Sequence, residues 1–370
     1  MASGPFAIDM YLPTLPALAR EFMVSEASVQ LTLTAFMVGM AVGQLVVGTI
    51  SDSLGRKRLL LMGAALSLLA CLACALAPQI WVLVLARLVH GLGSGACVVL
   101  ARAIVPDLAS GGVAAKAFTM MMVIQSVAPV AAPVLGGLLA EPIGWRGIFW
   151  VLAGFSALQL FVVGFVIPET RQHRSALRLG PVARNFVYVC KQRRFLAMLL
   201  AFSFGFGSMF SYISASSFVI QDIMGFSVRS YTLCFSINAL GIMASGLLNN
   251  RLIDRVSQRA LLLGGLGTLL LADVTLLIIV LTGLSPWAFF PVLFFGVAPI
   301  PLVMGNAFSL GTDLVRKHAG AASSLMGFVQ FLVAGLATIL VGVGGNMALS
   351  MSLSMAVMSA IALLASVRAA

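Results

Sequence analysis

Uncharged, apolar runs near twenty residues long recur from one end of this chain to the other, and that recurrence limits its fold more than any motif does. At ~1.5 Å rise per residue, one such run crosses a hydrocarbon layer of ~30 Å as a single helix. Of 370 residues, 61% are hydrophobic and only 9% charged, and the mean hydropathy is +1.10. A water-soluble domain of that size has no way to hide so much apolar surface. Twelve spans are predicted, at 2–18, 29–50, 59–77, 80–104, 116–139, 147–167, 195–216, 229–249, 260–282, 287–310, 319–341 and 346–367.

A long polar break from Pro168 to Arg194 divides these spans into two sets of six. It predicts an N-terminal half at 1–168, a connector at 169–194 and a C-terminal half at 195–370. The basic residues of the connector are expected to lie along the lipid surface. A shift of 202 residues lays Asp52 on Asp254, Lys57 on Arg259 and Leu59 to Leu61 on Leu261 to Leu263, a short echo of one half in the other. The net charge of +11 follows the same plan. With the N-terminus set in the cytoplasm, 18 Lys and Arg residues fall on that side, Arg20, Arg146 and Arg229 fall on the other, and Arg87 lies inside a span. This positive-inside asymmetry predicts two cytoplasmic termini, and it reads the charge as orientation, not as a nucleic-acid partner.

Between the second and third spans stands Gly48-Thr-Ile-Ser-Asp-Ser-Leu-Gly-Arg-Lys-Arg58. Its glycines let backbones approach closely, and Asp52 is able to accept from cations or from a helix N-terminus. The stretch resembles the loop 2–3 signature of the major facilitator superfamily, roughly G-x-L-x-D-R-x-G-R-R/K, with Ser53 where the pattern usually has arginine. The resemblance implies an all-α membrane protein of the major facilitator fold, twelve transmembrane helices in two six-helix halves that rock around a central cavity. It assigns Gly48, Asp52, Gly55, Arg56 and Lys57 to a cytoplasmic gate, in which Ser53 leaves out one cation. The first span, with Asp9, Pro13 and Pro16 in so short a run, is expected to be a truncated first helix.

Ionisable groups within membrane spans are costly unless paired or hydrated, so Asp9 and Arg87 are candidates for function. Asp9 lies about nine residues, ~13 Å, below the outer surface, and Arg87 lies ~10 Å below it, so the two charges share one layer. That placement suits either a static salt bridge or a pair loosened when Asp9 takes a proton. The residues around them resemble the drug/proton antiporters, especially the bicyclomycin-resistance (Bcr/CflA) branch. Ile8-Asp-Met-Tyr-Leu-Pro13 resembles the first-helix motif, and Arg87-Leu-Val-His-Gly-Leu-Gly-Ser-Gly-Ala96 the fourth-helix motif whose arginine is implicated in proton transfer. Ala131-Ala-Pro-Val-Leu-Gly-Gly137 resembles the fifth-helix antiporter motif, Pro133, Gly136 and Gly137 included, with Ala132 in place of the usual glycine. Proline there bends the helix and the glycines permit close contact.

The resemblance implies a proton-coupled antiporter that exports small amphipathic antimicrobials across the bacterial inner membrane by alternating access. An importer of a small nutrient shares the fold but not the fifth-helix motif, and a non-transporting receptor is the remaining alternative. The implied partners are a small drug, protons and the lipid bilayer, with no nucleic acid and a monomeric chain. No nucleophile–base set or nucleotide loop points to an enzyme. No cofactor is expected, the proton gradient being the energy source. Tyr11, Met122, Gln125, Phe210, Tyr212 and Gln330 are the candidates for lining the substrate cavity, though the same side chains at helical spacing suit bundle core equally. His90 is either a neutral packed imidazole or a proton relay. Cys71 and Cys74, with no histidine near them in the chain, read as small packing residues, and no metal site is expected. Asp273, alone in an apolar span, is open between a second proton site, a polar contact and a tolerated oddity.

Overall fold

The structure, a computed structural model, describes residues 3–108, 111–169, 179–283, 286–343 and 345–368, apart from some side chains inside the helices. The described residues form helices and no strand. Lipid offers no partner to a backbone amide, so a spanning segment has to close its hydrogen bonds within itself.

The chain forms two compact units, Met1–Val182 and Ala183–Ala370. The first contains α1 (Ser3–Asp9), α2 (Leu15–Phe22), α3 (Glu26–Leu54), α4 (Arg56–Ala75), α5 (Ile80–Leu108) and α6 (Gly111–Phe165). α7 (Leu179–Cys190) follows, lying within the predicted connector. The second unit holds α8 (Arg193–Phe218), α9 (Val228–Leu252), α10 (Gln258–Thr282), α11 (Pro286–Val297), α12 (Ile300–Leu314), α13 (Ala319–Val343) and α14 (Met347–Arg368).

Ten helical stretches among the described residues are long and apolar enough to cross a membrane, α11 and α12 together making one of them, Trp287–Leu314. α6 is two spans joined at Gly144, whose φ of 62° breaks the helix in a conformation that L side chains rarely adopt. The first span is not one helix. α1 stops at Asp9, a 3₁₀ turn covers Leu12–Thr14, and α2 begins at Leu15. Pro13 and Pro16 lack the N–H that a continuous α-helix needs at those positions. With this broken segment and the two arms of α6 counted separately, the twelve predicted spans are accounted for.

Within the first unit, α5 packs along both α3 and α4, and α4 packs on α6. Leu59, Leu60, Cys97, Leu100, Ile104 and Val163 form a core among them. In the second unit α8 is central, against α12, α13 and α14, around Phe195, Phe202, Leu266 and Val303. Large apolar side chains also face outward, among them Leu271 at 71% exposed and Phe165 at 79%. Such a surface is suited to lipid tails and not to water.

Candidate functional site

Among the described residues Arg87 is the largest fully buried side chain, and it has no carboxylate partner there. Its guanidinium sits in an aromatic cage, with Cζ 4.2 Å from the centroid of Phe36, 5.3 Å from Tyr11 and 5.7 Å from Phe149. Three π-faces offset part of the charge in a place where water does not. The backbone makes this possible. A Cβ on Gly91 would lie 2.1 Å from the carbonyl oxygen of Phe36, so only glycine lets α5 and α3 close enough to lay the Phe36 ring on the guanidinium. The Tyr11 hydroxyl is 3.1 Å from the Thr32 hydroxyl on α3, and its ring tilts 5.2 Å from that of Phe149.

Arg87 Nη1 donates to His90 Nδ1 at 3.2 Å. A guanidinium only donates, so Nδ1 accepts and the imidazole carries its proton on Nε2. That nitrogen lies 3.4 Å from Cys71 Sγ. The fold thus brings a histidine to the cysteine that has none near it in the chain. Nε and Nη2 of Arg87 find no acceptor.

Asp9 is buried at the end of α1, two residues before Tyr11, but it forms no ion pair with Arg87. The expected pairing in one layer is therefore replaced by π-stacking and by the bond to His90. The antiporter motif meets the chain beside Asp9. A Cβ on Gly136 would lie 2.2 Å from the carbonyl oxygen of Met10, so α6 rests directly on the peptide that follows Asp9. Pro133 and Gly137 are buried in the same arm.

The charged loop is some 30 Å away, since Arg87 and Asp107 are twenty residues apart on α5. Gly55, at φ 92°, turns the chain between α3 and α4. The backbone N–H groups of Arg56 and Lys57 donate to the Glu169 carboxylate at 3.0 and 3.4 Å. A negative charge at the first turn of α4 meets the positive end of the helix dipole. Arg56 pairs with Asp107 at 2.5 Å and also bonds the Ala103 carbonyl, and Lys57 Nζ reaches the Gly164 carbonyl at 3.0 Å. All of these contacts lie within the first unit. Gly48 is half-buried in α3, and its carbonyl accepts from the Ser51 hydroxyl at 3.3 Å. The side chains of Asp52, Ser53, Met122 and Gln125 lie outside the described residues.

In the second unit, Phe206, Phe210 and Phe331 form an aromatic cluster, with centroids 4.7 and 5.5 Å apart. Tyr212 stacks on Phe235, and its hydroxyl accepts from Asn238 at 3.0 Å. Gln330, on the helix that carries Phe331, keeps its carbonyl oxygen without a donor.

Sequence reasoning missed Phe36 and Phe149 around Arg87 and read Cys71 only as a packing residue, because apolar residues on apolar helices carry no mark of what they face. It also missed Asp107 and Glu169. Glu169 did carry a signal, as an acid directly after the sixth span.

Residues 2–338 match the family described as Major Facilitator Superfamily. The chain is 35% identical over 367 residues to "Uncharacterized MFS-type transporter YdgK" of Bacillus subtilis, covering 98% of this chain and 91% of that one. It is 34% identical over 331 residues to "Bicyclomycin resistance protein homolog" of Haemophilus influenzae, covering 89% and 83%. "Multidrug resistance protein MdtL" of Escherichia coli is 29% identical over 330 residues, covering 88% and 82%. Among solved structures, a bacterial homologue of the human lysosomal transporter Spinster gives a TM-score of 0.77 at 17% identity, covering 100% of this chain and 95% of that one. A D-xylose–proton symporter gives 0.76 at 15%, covering 100% and 94%.

Proposed function

The chain belongs to the major facilitator superfamily, a multi-pass membrane transport protein and not an enzyme, and from that premise we propose that it exports small amphipathic antimicrobials across the bacterial inner membrane in exchange for protons. The names of its bicyclomycin- and multidrug-resistance relatives support export of drugs. One geometric observation supports the coupling: a guanidinium sealed from water, with Nε and Nη2 unmet, in the unit that also buries the Asp9 carboxyl.

A buried cation in lipid needs a counter-charge or strong π-contacts. Arg87 has the π-contacts now. In the proposed cycle Asp9 holds a proton in this arrangement, which leaves Arg87 to its cage. Loss of that proton creates a carboxylate close in sequence to Tyr11, and its attraction to the open nitrogens of Arg87 draws α1 toward α5. Gly136, pressed on Met10, carries such a shift of α1 into α6. Alternating access follows as the two halves exchange openings, with both termini in the cytoplasm. Within the second unit, Phe210, Tyr212 and Gln330 supply adaptable apolar and amide surface for the drug.

The test is efflux of a drug found by a susceptibility panel in an efflux-deficient host. Export by the wild type should collapse when the proton gradient is dissipated, and Asp9→Asn should lose gradient-driven export while still reaching the membrane. Unchanged export by Asp9→Asn removes Asp9 from the mechanism, and export indifferent to the gradient removes proton coupling.

A further inference from the structure

Asp273 lies midway along α10 and is fully buried. Its Oδ2 accepts from the Ser208 hydroxyl of α8 at 3.0 Å, and Oδ1 has no partner among the described residues. The charged side chains of the surrounding helices stand in their terminal turns: Arg193 and Arg194 on α8, Arg259 on α10, Asp313 on α12 and Arg368 on α14. Arg259 is fourteen residues away on the same helix, ~21 Å. α11 and α13 carry no ionisable group among their described residues, and the Tyr212 hydroxyl of α8 is taken up by Asn238. Among the described residues of this unit a carboxylate here has no counter-charge within reach, so a proton or a small cation has to neutralise it.

Packing decides between the two. A Cβ built on Gly296 of α11 would lie 2.9 Å from Oδ1, with Met355 Cε and Ala272 Cβ within 4 Å of the same point. A cation needs several oxygens around it and room for them. The three atoms nearest that point are Oδ1 itself, a thioether methyl and an alanine methyl, so the space beside Oδ1 offers no second oxygen, and a proton needs none. Hydroxyls continue from Asp273 along the seam between α8 and α14. Ser211, one turn from Ser208, lies 2.8 Å from Ser354, and both are buried. Each hydroxyl is able to donate and accept at once.

We propose that Asp273, with the hydroxyl of Ser208, is a second proton-binding site, separate from Asp9 and Arg87 and lying wholly within the second unit. Oδ1 takes a proton from the aqueous phase to form the carboxylic acid, and release breaks the same O–H bond and returns the proton. No electron moves. The part this site plays in transport rests on the proton-coupled reading above, but its protonation does not.

The experiment is infrared difference spectroscopy of the full-length protein in lipid, titrated between about pH 5 and 9, for wild type, Asp273→Asn and Ser208→Ala. The expected result is a protonated-carboxyl band that vanishes as pH rises, is absent from Asp273→Asn and is displaced in Ser208→Ala. Should Asp273→Asn not fold, displacement in Ser208→Ala identifies the band. Absence of any such band overturns the proposal. So does a band that persists unchanged across the range, which makes Asp273 a fixed structural acid. Titration of Asp273 in a protein whose efflux ignores the gradient counts against proton coupling and leaves this site standing. Silence of Asp273 in a gradient-driven protein does the reverse.

Discussion

Gly136→Ala adds one methyl group at the point where α6 meets the peptide after Asp9. The new Cβ would stand 2.2 Å from the Met10 carbonyl oxygen and 2.7 Å from its Cα, whereas ordinary contact begins at 3.4 Å. About 1.2 Å of separation has to be found, and both partners are backbone, so no side chain is able to swing aside. Overpacking of this kind costs roughly 1–3 kcal/mol. The control is Gly154→Ala in the second arm of α6, where an added Cβ meets nothing within 4 Å. Both changes bring the same ~1 kcal/mol helix preference of alanine over glycine, so it cancels in the comparison. The difference between the two variants should then be the overpacking cost, about 5- to 150-fold in the unfolding equilibrium. Denaturant titration of purified protein in mixed micelles, followed by circular dichroism, reads it directly. Drug susceptibility of cells expressing each variant reports whether the displaced α1 still supports export. Equal midpoints and equal resistance for Gly136→Ala and Gly154→Ala would refute both the close approach and the role given to it.

Arg87→Lys keeps the charge but loses the planar face over Phe36 and the bond to His90, so efflux should fall about tenfold or more at normal membrane abundance. Rates close to wild type would show that charge alone suffices. Glu169→Gln removes the negative charge from the first turn of α4 and should lower stability by about 0.5–1 kcal/mol, read as a shift in the denaturant midpoint that added salt reduces. Glu21, outside the apolar spans, accepts from Trp145 Nε1 at 2.6 Å and pairs with Arg146. Burial by itself raises its carboxyl, but the bonds from Arg146 and Trp145 and the Arg146 charge outweigh it and hold the group below its usual 4.5. A depressed folded value gives stability that is present above about pH 4.5 and lost as pH falls through the folded value. The pair is nearly half exposed, so Glu21→Gln should cost at most about 1 kcal/mol at neutral pH. The variant should also show a flatter stability profile below pH 4.5 in the same titration.

What could be read from the chain, and what could not, follows from where each signal resides. Span number and type were legible because lipid demands a contiguous apolar run, and a run is a property of sequence alone. Gly144 and the Pro13 turn fell between or inside such runs, and they shaped the helices without altering the count. Arg87 was legible because a charge inside a span is conspicuous. Its neighbours were not, since Phe36 and Phe149 differ in no local way from the phenylalanines that face lipid, such as Phe165. Depth along a helix was recoverable, but azimuth was not. The estimate that Asp9 and Arg87 share a layer said nothing of whether they face each other, and the fold turns the guanidinium toward aromatic rings. The same limit explains Asp273. Its depth was plain, but its meaning depends on Ser208 and Gly296, which arrive from two other helices. Glycines mark such convergences in part, because a position that tolerates no Cβ is one where another backbone stands, as at Gly91 and Gly136. In a bundle built almost wholly of apolar helices, the polar groups show where chemistry is possible, and the glycines show which helices were brought together to hold them.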